Sequence, residues 1–171
     1  MPLSCNSPIS TSQKALLTSE AFWSFSLSHY KKQGVQQAAL ELQDKHRGNV
    51  NLALLLTWLD SFNIYFSPSH FSSLEVSLSQ SDELLQTYRQ LRKKIKNAQD
   101  PTLYQDALRF ELQIEKQQQN DLISALLRIP LQIKTTEKSP SLLSYYCSRL
   151  NASCLLLSLE LTSRLSTKDD R

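Results

Sequence analysis

The chain has 171 residues, a net charge of +3 and 40% apolar residues. This length and composition are typical of a globular chain with one hydrophobic core, and the mild charge does not by itself indicate a nucleic-acid-binding domain. Only two glycines occur, Gly34 and Gly48. Dinucleotide-binding folds, P-loops and β-barrels use glycine repeatedly, so the sequence excludes these classes and favours a mostly helical chain.

Capping and stop signals divide the first third of the chain into an arm and three helices. Serine, threonine and asparagine start helices, and glycine commonly follows their last turn. The third helix is apolar nearly all round, which is typical of a helix in the centre of a bundle. The predicted elements are a flexible arm over 1–17, a helix from near Ser19 that Gly34 stops, a helix from about Val35 to His46 that Gly48 closes, and a helix capped by Asn49 or Asn51 that continues through Phe62.

The rest of the chain predicts further helices with apolar side chains at three- and four-residue spacing. The fold class is therefore an all-α, single-domain bundle of about six to seven helices over 18–166, followed by a frayed tail over 167–171. The predicted elements are a short helix through Phe71, Leu74 and Leu78; a helix capped at Ser81 or Asp82 with the stripe Leu84, Tyr88, Leu91 and Ile95; a helix from Asp100-Pro101 to about Leu127 with the stripe Leu103, Ala107, Phe110 and Ile114, later joined by Leu122 and Leu126; a short extended segment at 131–133; and a last long helix with Leu143, Tyr146, Leu150, Cys154, Leu157, Leu161 and Leu165.

A group of aromatic, apolar and polar residues occurs in this order through the first third of the chain: Phe22-Trp23-Ser24-Phe25-Ser26-Leu27, Tyr30, Leu40, Leu42-Gln43-Asp44, Gly48, Val50-Asn51-Leu52 and Trp58. This group resembles a bacterial family of uncharacterised proteins, domain of unknown function 2390. The resemblance implies a small, all-helical, cytosolic protein, and it brings no activity, cofactor or catalytic residue.

The first candidate site is a polar cluster between the first three helices. It could be a pocket for a small ligand or a peptide. It could also be a structural lock, in which Asp44 or Asn51 binds free amides at the Gly48 turn and the tryptophans fill the core. The lock is favoured because turns between packed helices need such caps. The cluster comprises Trp23, Gln43, Asp44, Asn51 and Trp58.

The second candidate is a basic helix face that could bind an anion or a nucleic acid. A solvated face opposite the Leu84–Ile95 stripe is the favoured alternative, because charge runs commonly lie on exposed helix faces. No aromatic interleaving supports nucleic-acid binding. The residues concerned are Arg89, Arg92, Lys93 and Lys96, with Lys94 beside them.

Catalytic and metal chemistry receive little support from the sequence. The histidines are not spaced as paired ligands, and Glu111 and Glu115 share a helix face without an accompanying Glu-x-x-His. No cofactor and no metal are therefore expected. Cys5, Cys147 and Cys154 include no CxxC pair, which favours reduced thiols. With no signal peptide and no long apolar span, a cytoplasmic location is expected.

The function favoured by the sequence is non-enzymatic. The chain is expected to be a small cytoplasmic interaction or adaptor protein that binds an unknown protein partner or associates with itself as a homodimer. Its binding surface should lie on exposed apolar patches of the long helices. The last-helix stripe from Leu143 to Leu165 is one candidate for such an interface, although ordinary core is slightly favoured there. The alternative function is a module that binds an anion or nucleic acid through the basic face.

Overall fold

The computed structural model describes residues 6–135 and 139–160, and these ranges contain eight α-helices and one small three-stranded sheet. The predicted all-α, multi-helix fold is confirmed. Cys5, Leu161, Leu165 and the predicted tail over 167–171 lie outside the described residues. The elements in chain order are β1 Ser7–Pro8, α1 Thr11–Ala15, α2 Ser19–Tyr30, α3 Val35–His46, α4 Val50–Ser61, β2 Ile64–Tyr65, α5 Phe71–Asn97, α6 Pro101–Leu126, β3 Gln132–Ile133, α7 Leu142–Arg149 and α8 Leu156–Glu160, with 3₁₀ turns at Pro68–His70 and Ser153–Leu155.

The chain divides into two compact units. The first contains the described residues up to Phe66 and from Pro130 onwards, and the second is the continuous segment Ser67–Ile129. In the first unit, β3 pairs antiparallel with both β1 and β2. A single domain over 18–166 stays a prediction.

The segment 6–17 contains more regular structure than the loose arm that its composition predicts. Ser10 and Gln13 form a reciprocal capping box that starts α1, with the Gln13 amide donating to Ser10 Oγ at 3.1 Å and the Ser10 amide to Gln13 Oε1 at 2.7 Å. Such a box satisfies two amides that would otherwise lack partners. Leu17 is buried, so the segment also contributes to the core.

The core of the first unit is built around α4, as the apolar sequence of this helix predicts. Leu55 and Leu59 are fully buried, and the helix packs against α2, α3, α7 and α8. The indole of Trp58 stacks on the ring of Phe22 with a centroid separation of 5.4 Å. A helix buried on every side needs such neighbours, because it has no face to leave in water.

The corner between α3 and α4 uses Gly48 for a reason different from the predicted one. The residue in the left-handed conformation is Arg47, with φ 56°, and the Gly48 amide donates to the Leu42 carbonyl at 3.0 Å. A Cβ on Gly48 would lie 2.6 Å from Leu42 Cγ and 3.0 Å from Leu150 Cδ1. The glycine is therefore required for close packing.

The last long helix predicted from the sequence is wrong over the described residues, because the chain breaks it after α7. Asn151 takes a left-handed conformation with φ 54°, and the Ala152 amide donates to the Cys147 carbonyl at 2.8 Å. Asparagine tolerates this conformation better than other residues with a Cβ. A 3₁₀ turn and the short α8 follow. Of the predicted stripe, Leu143 and Tyr146 are buried, whereas Cys154 and Leu157 are exposed.

The second unit is dominated by an antiparallel pair of long helices, α5 and α6, which we call the α5–α6 hairpin. The sequence predicts two helices within 71–97, but α5 is continuous and Ser81 and Asp82 lie in its middle. Asp100 caps α6 as predicted, accepting from the Leu103 amide at 3.0 Å, and Pro101 follows it at the first helical position.

Candidate interaction surface

The seam between α5 and α6 contains polar side chains. Gln118 is almost fully buried, and its Nε2 donates to Asp82 Oδ1 at 2.8 Å and to Ser81 Oγ at 3.1 Å. The Tyr88 hydroxyl donates to the Ala107 carbonyl at 2.9 Å. These contacts hold the helices in one register, since buried polar groups lose free energy without partners.

Ion pairs continue this seam toward the hairpin turn. Arg89 contacts Glu111 at 3.3 Å and Glu115 at 3.4 Å, and Arg92 pairs with Glu111 as well. Burial raises the pKa of the Glu115 carboxyl above its ordinary value, and the Arg89 guanidinium opposes that rise. The two glutamates that share a helix face in the sequence therefore bind arginines of α5.

The structure divides the predicted basic face into two groups. Arg89 and Arg92 are partly buried and bind carboxylates of α6, so the predicted solvated face does not include them. Lys93 and Lys96 remain exposed, and the Lys96 ammonium lies 6.0 Å from the centre of the Tyr104 ring. Two of the four predicted anion ligands are thus already neutralised.

One face of the hairpin is apolar and exposed. Leu84, Leu91, Leu103 and Phe110 are 58%, 49%, 46% and 52% exposed. The Phe110 ring lies 5.1 Å from that of Tyr88, which places the two helical stripes side by side. We call the surface formed by Leu84, Tyr88, Leu91, Leu103 and Phe110 the apolar face. These residues belong to the predicted stripes of the two helices, and the buried members of the α6 stripe are Ala107, Ile114, Leu122 and Leu126.

The other side of the hairpin has a different character. Each residue advances about 100° around an α-helix, so Leu112 lies roughly 200° from Phe110 on α6. Lys93 on α5 is likewise turned away from Leu91, and the ion pair between Arg89 and Glu115 lies on this side. Leu112 is 47% exposed, close to the value for Leu91. The two leucines are therefore matched in type and exposure but lie on opposite sides.

The polar cluster predicted at the helix corner is only partly assembled. Trp58 and Asn51 are buried, and Trp23 and Gln43 are half-buried. Asp44 is exposed, and its hydrogen bond comes from Gln43 Nε2 at 3.5 Å. Of the two predicted capping residues, Asp44 accepts no backbone amide among the described residues. Asn49 Oδ1 caps α4 by accepting from the Leu52 amide at 2.8 Å.

The Tyr146 hydroxyl completes this corner from a distant part of the chain. It accepts from the Asn49 amide at 2.9 Å and so ties α7 to the start of α4. His46 reaches the same region, with its Nδ1 lying 3.3 Å from the Leu150 carbonyl oxygen. The corner of the first unit is therefore held by partners that local sequence spacing does not reveal.

Asp60 is a capping residue that the sequence analysis missed. Its two carboxylate oxygens accept from the amides of Leu142 and Leu143 at 2.9 and 3.0 Å, at the N-terminus of α7. A carboxylate at a helix N-terminus satisfies free amides and complements the helix dipole. Burial nevertheless raises the pKa of Asp60 to about 6, against the lowering effect of these two amides.

His29 is a second buried titratable group in the first unit. Its Nε2 donates to the Leu159 carbonyl of α8 at 2.6 Å, and its ring stacks on Phe25. Burial lowers the pKa of His29, and this hydrogen bond opposes the lowering. The neutral imidazole therefore tethers α8 to α2, a role that no spacing in the sequence could have indicated.

The described ranges 6–135 and 139–160 contain no group of three or more His, Cys, Asp or Glu side chains placed to hold a metal ion. Two cysteines, Cys147 and Cys154, are free thiols, and burial raises the pKa of Cys147 to about 11. No helix among the described residues has both the length and the apolar character needed to cross a bilayer.

Comparison with known proteins places the chain in a family. No curated protein and no solved structure matches it. A family model described as a protein of unknown function (DUF2390) matches residues 21–122, from α2 into α6 and over more than half of the chain. This chain therefore belongs to the DUF2390 family.

Proposed function

We propose that this chain is a non-enzymatic protein–protein interaction module and that the apolar face of the α5–α6 hairpin is its docking surface. The observation that carries the proposal is the exposure of Leu84, Leu91, Leu103 and Phe110 on one side of two paired helices. Contiguous exposed apolar surface of this kind commonly marks a site of protein contact. A partner helix with its own apolar stripe fits such a face best.

The free energy available at this face is substantial for a small patch. Four half-exposed side chains together present on the order of 400 Å² of apolar surface, which lies within the range of functional patches on monomers. At about 25 cal/mol per Å², covering it would contribute roughly 10 kcal/mol before the entropic cost of association is subtracted. A weak or moderate complex is the expected result.

The polar side chains of the described residues support a non-enzymatic role. Asp60, His29 and Gln118 bind helix termini or neighbouring helices, and Arg89 and Glu111 bind each other. The anion-binding alternative has weaker support, because Arg89 and Arg92 already bind carboxylates. We propose the bacterial cytoplasm as the setting, which is consistent with the free thiols of Cys147 and Cys154.

Photo-crosslinking in the source cell tests this function. A photoreactive phenylalanine analogue replaces Leu91 on the apolar face, and the control carries it at Leu112 on the opposite side. We expect a discrete protein adduct from position 91 and none from position 112. The absence of any adduct at position 91, or equal adducts at both positions, would contradict the proposed docking surface.

A further inference from the structure

We propose that the partner at the apolar face is a second copy of this chain, with α5 packed antiparallel against α5 of the second copy. The inference rests on the proposed function and names its partner. Its basis is the arrangement of apolar and charged residues on α5, which is complementary to itself when the helix is reversed.

In a two-fold pairing, apolar residues of one helix must face apolar residues of the other, and those of α5 have the spacing for this. Leu84 and Leu91 are seven residues apart, lie on the same side of the helix, and flank Tyr88. When two copies of α5 run antiparallel about a point near Tyr88, Leu84 of one copy faces Leu91 of the other. A seven-residue separation is the spacing with which helices pack along one another.

A two-fold pairing also requires opposite charges to face each other, and the charged residues at the edge of the apolar face are placed for this. Glu83 and Lys94 are both exposed, and within the described part of the chain neither side chain takes part in an ion pair. They are eleven residues apart, about three helical turns, so they lie along one edge of α5. Reversing the helix about Tyr88 brings Glu83 of each copy opposite Lys94 of the other. The two-fold axis repeats this favourable pair twice.

The size of the face sets the expected strength of the dimer. The apolar residues span about eight positions on each helix, or roughly 12 Å, across two helices about 10 Å wide. Their exposed side chains present on the order of 400 Å² per copy, or about 800 Å² in total, which is the size of a weak, transient interface. We therefore expect a dissociation constant in the micromolar range, so that monomer and dimer interconvert as the concentration changes.

Sedimentation velocity of the full chain from about 1 µM to about 200 µM tests the pairing. We expect a shift from monomer to dimer over this range. Leu91→Glu should weaken the dimer at least tenfold, whereas Leu112→Glu should leave it unchanged, and circular dichroism checks that both variants keep their helices. A chain that remains monomeric at every concentration would overturn the proposal, as would equal losses in both variants.

Charge reversal tests the antiparallel register directly. Because each reversal changes two symmetric contacts, Glu83→Lys alone or Lys94→Glu alone should weaken the dimer about tenfold at low salt. The double variant Glu83→Lys with Lys94→Glu should recover the original affinity. Lys93→Glu, which makes the same charge change on the opposite side of α5, is the matched control. If the double variant loses as much dimer affinity as the two single variants lose together, the pairing is overturned.

The outcome of the crosslinking experiment separates this proposal from the proposed function. An adduct at position 91 with twice the mass of the chain supports both. An adduct with another mass from a chain that sediments only as monomer overturns self-association and leaves the interaction function in place. No adduct and no dimer would overturn both.

Discussion

The two units of this chain use apolar and polar residues in opposite ways. In the first unit, α4 buries its leucines on every side, and polar residues such as Asn49 and Asp60 serve the ends of helices. In the α5–α6 hairpin, Arg89, Glu111 and Gln118 lie in the seam between the helices, and several leucines of the apolar stripes are exposed.

This contrast shows that an apolar stripe identifies a helix but not the side that is buried. Two helices cannot bury both the seam between them and a face perpendicular to it, so a second apolar face needs another partner. In the first unit, the helices around α4 cover its apolar sides. Substitutions in the two regions should therefore have different effects on stability.

A buried leucine of α4 and an exposed leucine of the apolar face should respond differently to the same substitution. Leu59→Ala in α4 should lower the free energy of unfolding by about 3 kcal/mol, because Leu59 is fully buried and its loss leaves a cavity. Leu84→Ala on the apolar face should change it by less than about 0.5 kcal/mol in dilute monomer. Urea denaturation of both variants measures the difference. Equal losses would show that the apolar face is core.

The second prediction concerns the charged seam of the hairpin. Glu111→Ala should lower the free energy of unfolding by about 3 kcal/mol, because it leaves the partly buried guanidiniums of Arg89 and Arg92 without their shared carboxylate. Glu83→Ala is the control, since this exposed side chain makes no ion pair among the described residues. Thermal unfolding monitored by circular dichroism compares the two. Similar melting temperatures would contradict a structural role for the seam.

The third prediction uses pH to test the two buried titratable groups of the first unit. Asp60 has a pKa raised from 3.8 to about 6, so the folded state holds its proton more tightly than the unfolded state does. Its contribution to stability is present below about pH 4 and is lost as the pH rises through about 6, by up to about 1.4 kcal/mol per pH unit. His29 acts in the opposite direction, because its lowered pKa makes the fold less stable as the pH falls below 6.5.

Substitution isolates each contribution to this pH dependence. In Asp60→Asn the free energy of unfolding should rise more steeply with pH between about 4 and 6 than in the unmodified protein. His29→Gln, which keeps a donor for the Leu159 carbonyl, should reduce the loss of stability below pH 6.5. Denaturant titrations at several pH values test both expectations. Curves parallel to that of the unmodified protein would contradict the assigned environments.

The smallest effect is expected at the predicted polar cluster. Asp44→Ala should change the free energy of unfolding by less than about 0.5 kcal/mol, because the side chain is exposed and binds only Gln43 among the described residues. Asn49→Ala should cost about 1 kcal/mol, because it removes the cap of α4. Chemical denaturation distinguishes them, and a larger loss at Asp44 than at Asn49 would restore the predicted lock.

Local signals predicted the local structure well. Asp100-Pro101 correctly marks the start of α6, and the 35–46 helix matches α3. Local signals predicted the structure wrongly where a residue distant along the chain competes for the same side chain. Ser81 and Asp82 resemble a helix cap in sequence, but the buried amide of Gln118, which is distant along the chain, holds them within α5.

The sequence predicts apolar stripes on the long helices but not which of their residues are exposed. Leu84 and Phe110 are exposed, whereas Ala107 and Ile114 of the same stripes are buried. Periodicity gives the angle between residues on one helix and says nothing about which neighbour covers them. The roles of Asp60 and His29 depend on contacts with residues 82 to 130 positions away, which no local pattern encodes.

Thiol labelling of the purified chain measures how far the apolar face is covered by a second copy. In a Cys5→Ser, Cys154→Ser background, Leu91→Cys reports on the apolar face and Leu112→Cys on the opposite side of the hairpin. We expect labelling at position 91 to slow as the protein concentration rises, whereas labelling at position 112 should keep a constant rate. Concentration-independent rates at both positions would overturn self-association, and the additional absence of a crosslinked adduct at position 91 would overturn protein contact at this face.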